Sequence, residues 1–472
     1  MGKLILTNAR LIDGTGSQPR DGATVVITDG RISEVRYEPA RPSDTGSPGA
    51  ESLPSNLSDQ ERQVLNMRYG LTGDPPLSAE AVASRLAITR EELRRIETRI
   101  LQGLRDISKK QLAGQAAGES AQETVIDLGG RTLMPGLINA HCHVTMDAGP
   151  DPLMSVTRIS PAQVVLKSAK RCEAMLRAGI TTARDLGGYE FVEFALRDAF
   201  AAGELPGPRL LCAGKVITMT GGHGWPTGLE SDGPDEVRKS ARLNLKKGAD
   251  CLKFMATGGV LTPGVEPGSP QLSEEEMRAG IEEAQHVSKR TASHAQGTTG
   301  IKNALRAGID TIEHGIFLDE EAIEMMVKQG TVFVPTLAAP YQIVEAGEAK
   351  GIPAYALEKS RRVMDAHRKS FEWAIRSGVT TAAGNDGGTP FNPSDDLVTE
   401  MRLMVDYGMN PLGAIMAATL GSAKALGLSE EVGTIQKGKW GDCIVLEDGA
   451  EPIADITAMS RVGMVIQRGQ VV

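Results

Sequence analysis

Only seven histidines occur in this chain, and four of them end apolar runs where metal chemistry can use them. His141 and His143 form an H-x-H pattern in LMPGLINAHCH. Side chains at i and i+2 of a strand share a face, so both rings can reach one ion. Lys253 closes ADCLKFMATGG, and His294 and His314 close RTASHAQG and TIEHG. The 20 residues between these two histidines match about one strand–helix repeat. Asp386 closes VTTAAGNDGG. Imidazole and carboxylate ligands suit Zn²⁺, with Fe²⁺, Co²⁺ and Mn²⁺ as other fits. Such an ion addresses a definite problem: water is a poor nucleophile, and a metal lowers its pKa from 15.7 to about 7. His223 stands among glycines in MTGGHG, where the backbone can approach a substrate closely. Arg184, in TTARDLGG, and the loop Val260–Pro270 are the further candidates for substrate contact.

These residues need a scaffold that gathers strand ends. Eight apolar runs between 135 and 427, each followed by a helix-length segment, predict a (β/α)8 TIM barrel, and the C-terminal ends of its strands are where catalytic groups belong. Residues 1–40, 123–134 and 428–472 read as strands broken by turn signals such as Asp13-Gly14 and Asp29-Gly30. They predict a composite β-sandwich built from both termini. Residues 41–122 break the α/β pattern as a small all-α helix-turn-helix insertion (core 57–107) between linkers rich in Pro, Ser, Gly and Ala.

The order H-x-H, Lys, His, His, Asp resembles the amidohydrolase superfamily of binuclear type. The phrases PGLINAHCH, TTARDLGG, TGGHG, KFMATGG, SHAQG, IEHG, VPTL and GNDGGTP resemble its prolidase and arginine-carboxypeptidase-like branch, often labelled imidazolonepropionase-like. The resemblance implies two divalent cations, Zn²⁺ first, with a carboxylated Lys253 bridging them. It implies that His141, His143 and Asp386 hold one ion and His294 and His314 the other. It gives Asp386 the role of acid and base toward a metal-bridging hydroxide, and His223 a role at the substrate carbonyl. Asn139 and Asn385 depart from the pattern, where relatives often carry Asp and Thr. Leu272 stands where carboxypeptidase relatives place a Tyr, which loosens specificity for a C-terminal amino acid.

In the inserted block, VLNMRYGL and ITREELRRIE resemble region 4 of bacterial primary sigma factors. Ser58 and Ser78 are expected N-caps, and Thr89 with Glu92 a capping box. The resemblance places Arg90, Glu91, Arg94 and Arg95 on a recognition helix. Acidic and basic side chains nearly balance in the block, so few phosphates would be neutralised and any contact with DNA or RNA polymerase would be weak.

The primary expectation is an enzyme hydrolysing the amide bond of a dipeptide, an N-acyl amino acid or a related amide. One alternative is a cyclic-amide hydrolase of imidazolonepropionase type, which needs no bridging lysine. The other is a DNA-binding regulator. A homo-oligomer is expected from the resemblance. A net charge of −9 argues against general nucleic-acid binding. Five scattered cysteines and the lack of a signal-like start predict a reducing, cytoplasmic location with no membrane partner.

Overall fold

The computed structural model describes residues 2–37, 58, 63–64, 67, 77–89, 92–93, 95–96 and 123–472. The chain divides into two compact units, Met1–Glu38 with Glu123–Val472, and Pro39–Gln122.

In the larger unit, Lys3–Leu11, Arg20–Thr28 and Arg31–Tyr37 are antiparallel neighbours. Asp29 and Gly30 join the last two with φ of 52° and 81°. Positive φ at both central residues is the hairpin turn that matches strand twist. The other edge of Lys3–Leu11 is shared: Glu123–Asp127 pairs with its first half and Thr132–Pro135 with its end, both in parallel. Thr132–Pro135 leads on to Cys443–Leu446, Val462–Gln467 and Gln470–Val471. The strands of the expected composite domain are hydrogen-bonded in one mixed sheet of eight strands. Leu6, Leu11, Val25, Ile27, Leu133 and Val445 share its apolar cluster.

The middle of the chain supplies parallel strands. β1 (Leu137–Cys142), β2 (Ile180–Asp185) and β3 (Arg209–Cys212) form one sheet. β4 (Cys251–Met255), β5 (Arg290–Ala295), β6 (Thr311–His314) and β7 (Val332–Val334) form another, edged by Ile217–Thr218 and Leu229–Glu230. Every position of β1, β2, β4, β6 and β7 is buried, so these strands read as apolar runs without alternation. Backbone bonds link the sheets. Asp250 N donates to Cys212 O at 2.8 Å, and residues 380–386 bond on both sides. Phe333 N donates to Thr380 O at 2.8 Å, and Ala140 N donates to Ala383 O at 2.9 Å. Residues 380–386 are the eighth run, yet only isolated bridges form there. Small residues (Ala382, Ala383, Gly384) and a left-handed Asp386 replace the β-branched residues of a regular strand.

Helices follow the strands, among them Pro161–Arg177, Val192–Ala202, Pro234–Lys247, Glu274–His286, Thr298–Ala307, Glu320–Gln329 and Ala354–Arg376. Ser160 with Gln163, and Ser273 with Glu276, close reciprocal capping boxes that satisfy the first N–H groups. Among the described residues, no helix is long and apolar enough to cross a membrane.

In the smaller unit, Val64, Val82, Ala83, Leu93 and Ile96 form an apolar cluster. Ser78 caps the helix Ala79–Arg85, its side chain accepting from Ala81 N. Thr89 N donates to Glu92 Oε2 at 2.8 Å and Glu92 N to Thr89 Oγ1 at 3.1 Å, the reciprocal pair expected from T-x-x-E. Arg95 is helical, whereas Arg90, Glu91 and Arg94 lie outside the described residues.

Phe254, on β4 beside Lys253, packs where Gly280 lacks a Cβ that would come 2.5 Å from its ring. Phe254→Ala is expected to cost about 3–5 kcal/mol of stability, read as a lower denaturant midpoint with unchanged slope.

Candidate metal centre

The end of β1 and the eighth run meet at one point. Asp386 Oδ1 lies 3.2 Å from His141 Nε2 and 3.1 Å from His143 Nε2. The three ligand atoms fall within 4.8 Å of one another, and all three residues are buried. The other ring nitrogens fix the tautomers. His141 Nδ1 donates to Glu313 Oε2 at 2.9 Å, and His143 Nδ1 to Gly187 O at 3.1 Å. In the neutral rings, two nitrogen lone pairs and a carboxylate oxygen therefore converge. That is a donor set for a cation. Burial acts to raise the Asp386 carboxyl, but His141 and His143, when protonated toward it, hold it well below the usual range.

His294 and His314 lie alongside, with ring centroids 4.4 Å apart, and His314 is 5.2 Å from His141. Each again commits one nitrogen. His294 Nε2 donates to Gly258 O at 3.2 Å, and His314 Nδ1 to Thr336 Oγ1 at 2.6 Å. Burial keeps both rings neutral, so His294 Nδ1 and His314 Nε2 are left as ligand atoms. Lys253 is 1% exposed, and burial pushes its ammonium down to about 8. The residues present fit a metal centre.

The backbone around this centre is strained. His314 and Asp386 have φ of 71° and 55°, and Thr336, which accepts from His314, has φ of 55°. A β-branched residue in that region is an outlier, and each such residue costs on the order of 1–3 kcal/mol. Asn139 and Asn385 bond each other, Nδ2 to Oδ1 at 2.8 Å, and so tie the eighth run to β1.

Arg184, expected to touch substrate, is fully buried and absent from the cavity lining. Its Nη2 donates to Glu313 Oε1 at 2.9 Å and its Nε to Ala140 O at 2.7 Å. Strand alternation fixes which residues share a face, and the sequence alone does not say which face meets the cavity. Glu313 is the residue that sequence reasoning missed. Burial would raise its carboxyl, but Arg184 and His141 bring it below the usual range. An acidic residue within a buried parallel run, one position before a ligand histidine, was the available signal.

His223 lines the cavity above the centre, its ring 4.3 Å from that of His294. Its Nδ1 bonds Thr262 Oγ1 at 2.9 Å, and burial pushes its pKa down to about 3. Gly259 must be glycine, since a Cβ there would stand 2.5 Å from the His223 ring. The TGGHG and KFMATGG segments therefore interlock. His367 is buried and lines the same cavity, with Nε2 donating to Pro335 O at 2.7 Å.

Residues 132–472 match the model of the amidohydrolase family, and residues 55–106 that of Sigma-70, region 4. An ochratoxinase of Aspergillus niger is 31% identical over 353 residues, covering 69% of this chain and 71% of that protein. An imidazolonepropionase of Caldanaerobacter subterraneus subsp. tengcongensis is 25% identical, covering 71% of this chain and 81% of that protein. A crystal structure of a Xaa-Pro dipeptidase with bound methionine in the active site superposes with a TM-score of 0.77 at 26% identity, covering 100% of both chains. The crystal structure of the A. niger ochratoxinase gives 0.73 at 26% identity, covering 100% of this chain and 95% of that one.

Arg184→Met leaves Glu313 as an uncompensated buried charge. It is expected to cost about 3–5 kcal/mol of stability and about 10–100-fold in metal affinity, measured by denaturation and metal titration. A normally stable variant with only a raised KM would return Arg184 to the substrate.

Proposed function

The chain belongs to the amidohydrolase family and is a hydrolase acting on carbon–nitrogen bonds, and we propose that it is a binuclear metal-dependent enzyme that cleaves the amide bond of a dipeptide, an N-acyl amino acid or a related amide. The observation that carries this reading is the convergence of His141, His143 and Asp386 beside His294, His314 and Lys253 at one end of the parallel strands. We read the two linked parallel sheets as one (β/α)8 barrel, with its catalytic groups at the strand ends.

His141, His143 and Asp386 would hold one ion, and His294 and His314 the second. Lys253 would be shared after carboxylation by CO2. Carboxylation turns a buried ammonium, which would repel cations, into an anionic ligand. When bound, two divalent cations, Zn²⁺ first, supply Lewis acidity to the amide carbonyl and lower the pKa of water. The rest falls to side chains. Asp386 takes a proton from the attacking water and passes it to the leaving nitrogen, so that one water and one amide give a carboxylic acid and an amine. His223, neutral and held through Nδ1 by Thr262, presents Nε2–H to the oxygen on which charge develops. Glu313 and Arg184 touch no substrate; they keep His141 in its ligand tautomer.

The sigma-like match of residues 55–106 supports a second, separate proposal, a weak contact of the insertion with DNA. A gel shift at low salt with a −35-like duplex is expected to show a complex, and no shift at micromolar protein would end that reading.

Asp386→Asn is expected to lower kcat by about 10²-fold or more. Amide turnover and metal content are measured on the same preparation, and normal turnover would remove Asp386 from the mechanism.

A further inference from the structure

The cavity above the metal centre has mostly apolar walls. Met146, Leu153, Val260, Leu261, Ile316 and Ile343 line it. Besides histidines, its ionisable lining residues are Lys253 and Asp386, both needed by the metals. Among the described residues, the lining includes no arginine that could pair with a substrate carboxylate. Lys359 lies behind the wall, 6% exposed, and donates its Nζ to Thr262 O at 3.0 Å and to Val265 O. Its charge is taken up by the loop that forms the wall. Leu272, at the position of the missing Tyr, is fully buried in the core and absent from this lining.

The wall is fixed. Tyr355 Oη donates to Leu261 O at 3.0 Å, and Val260 packs in one cluster with Ile343, Ile352 and Leu357. A rearranged loop with a free lysine would have to break these contacts.

One buried polar atom of a lining residue is unmatched. Gln296, two residues past His294, lines the cavity at 4% exposure, and its side-chain Oε1 has no hydrogen-bond partner. Its backbone is satisfied: the N–H bonds Thr257 Oγ1 and the carbonyl accepts from Phe317 N. A buried carbonyl oxygen left unpaired costs about 1–3 kcal/mol. Beside a cavity, that cost is recovered when a ligand's donor reaches the oxygen. A site built this way discriminates strongly against analogues that lack the donor.

We propose that the substrate is a neutral secondary amide joining two apolar groups, with no carboxylate on its amine side, and that Gln296 Oε1 accepts an N–H from it. The proposal rests on the reading of the site as an amide hydrolase and, within it, favours related neutral amides over dipeptides and N-acyl amino acids, whose carboxylate the lining does not match. Gln296 is the specificity-determining residue. The apolar walls take the acyl and amine substituents, and the amide group is the polar part that must be matched.

The test uses the metal-loaded full-length enzyme and three probes: N-hexanoyl-4-aminobenzamide, its anilide N-methyl analogue, and N-hexanoyl-4-aminobenzoate. Calorimetry gives binding, and release of the aniline gives turnover. The neutral secondary amide is expected to bind at least about 10-fold tighter than the carboxylate and than the N-methyl analogue. Gln296→Leu should erase the preference for N–H over N-methyl while leaving the preference against carboxylate. Gln296→Met, with its unbranched side chain, repeats the test should the leucine variant misfold. Equal or tighter binding of the carboxylate overturns the proposal. So does an unchanged N–H to N-methyl ratio in the folded variants, or no binding of the neutral amide at millimolar concentration. Turnover confined to the carboxylate would overturn the proposal and keep the hydrolase reading. Binding in the expected order with no turnover of any amide would do the reverse.

Discussion

A carboxylate buried between two imidazoles is the contact on which the rest of this structure depends. Asp386 reaches His141 and His143 from a segment that is barely a strand, and its backbone N–H bonds His141 O. The same contact joins the eighth run to β1 and assembles the ligand set. Charge balance then constrains everything beneath it. Glu313 is fully buried and is tolerated because Arg184 and His141 flank it. Asp185, also fully buried, accepts from Val144 N and Gly187 N, and so holds the turn whose carbonyl orients His143. Acidic groups under the site outnumber what one arginine can neutralise, and a carboxylated Lys253 would add another. The two divalent cations proposed above would balance such a centre.

Position and selectivity come from different parts of the chain. The strand ends supply ligands and their supports. The cavity walls come from loops and from the helices Ala338–Ala346 and Ala354–Arg376, packed as one apolar cluster with Val260. This separation lets a hydrolytic centre be kept while its walls change, which accords with relatives named for different activities at 25–31% identity.

The six expected ligands could be picked out because each lies in or near the end of an apolar run, and five of them sit on or just past buried parallel strands that the structure brings together. Their spacing in the sequence reflects the strand–helix repeat. Arg184 was misread because residue type reveals charge but not which face of a strand meets the cavity. Glu313 was invisible beside His314, since its partners are far away in sequence and are joined only by folding. The eighth run was found as a segment, but its break at Asp386 follows from a left-handed backbone that no local propensity encodes. Gln296 gave no signal at all, because what marks it is a missing partner. In the insertion, Thr89 with Glu92 was readable as a cap because its chemistry is local.

The central claim is that this centre is built for two ions with Lys253 between them. The most direct measurement is metal content per chain after full reconstitution with Zn²⁺ and bicarbonate, for the wild type and for Lys253→Ala. The account predicts about two ions per wild-type chain, with the second lost from the variant. About one ion per wild-type chain at full amidase activity, or two ions retained without Lys253, would contradict it.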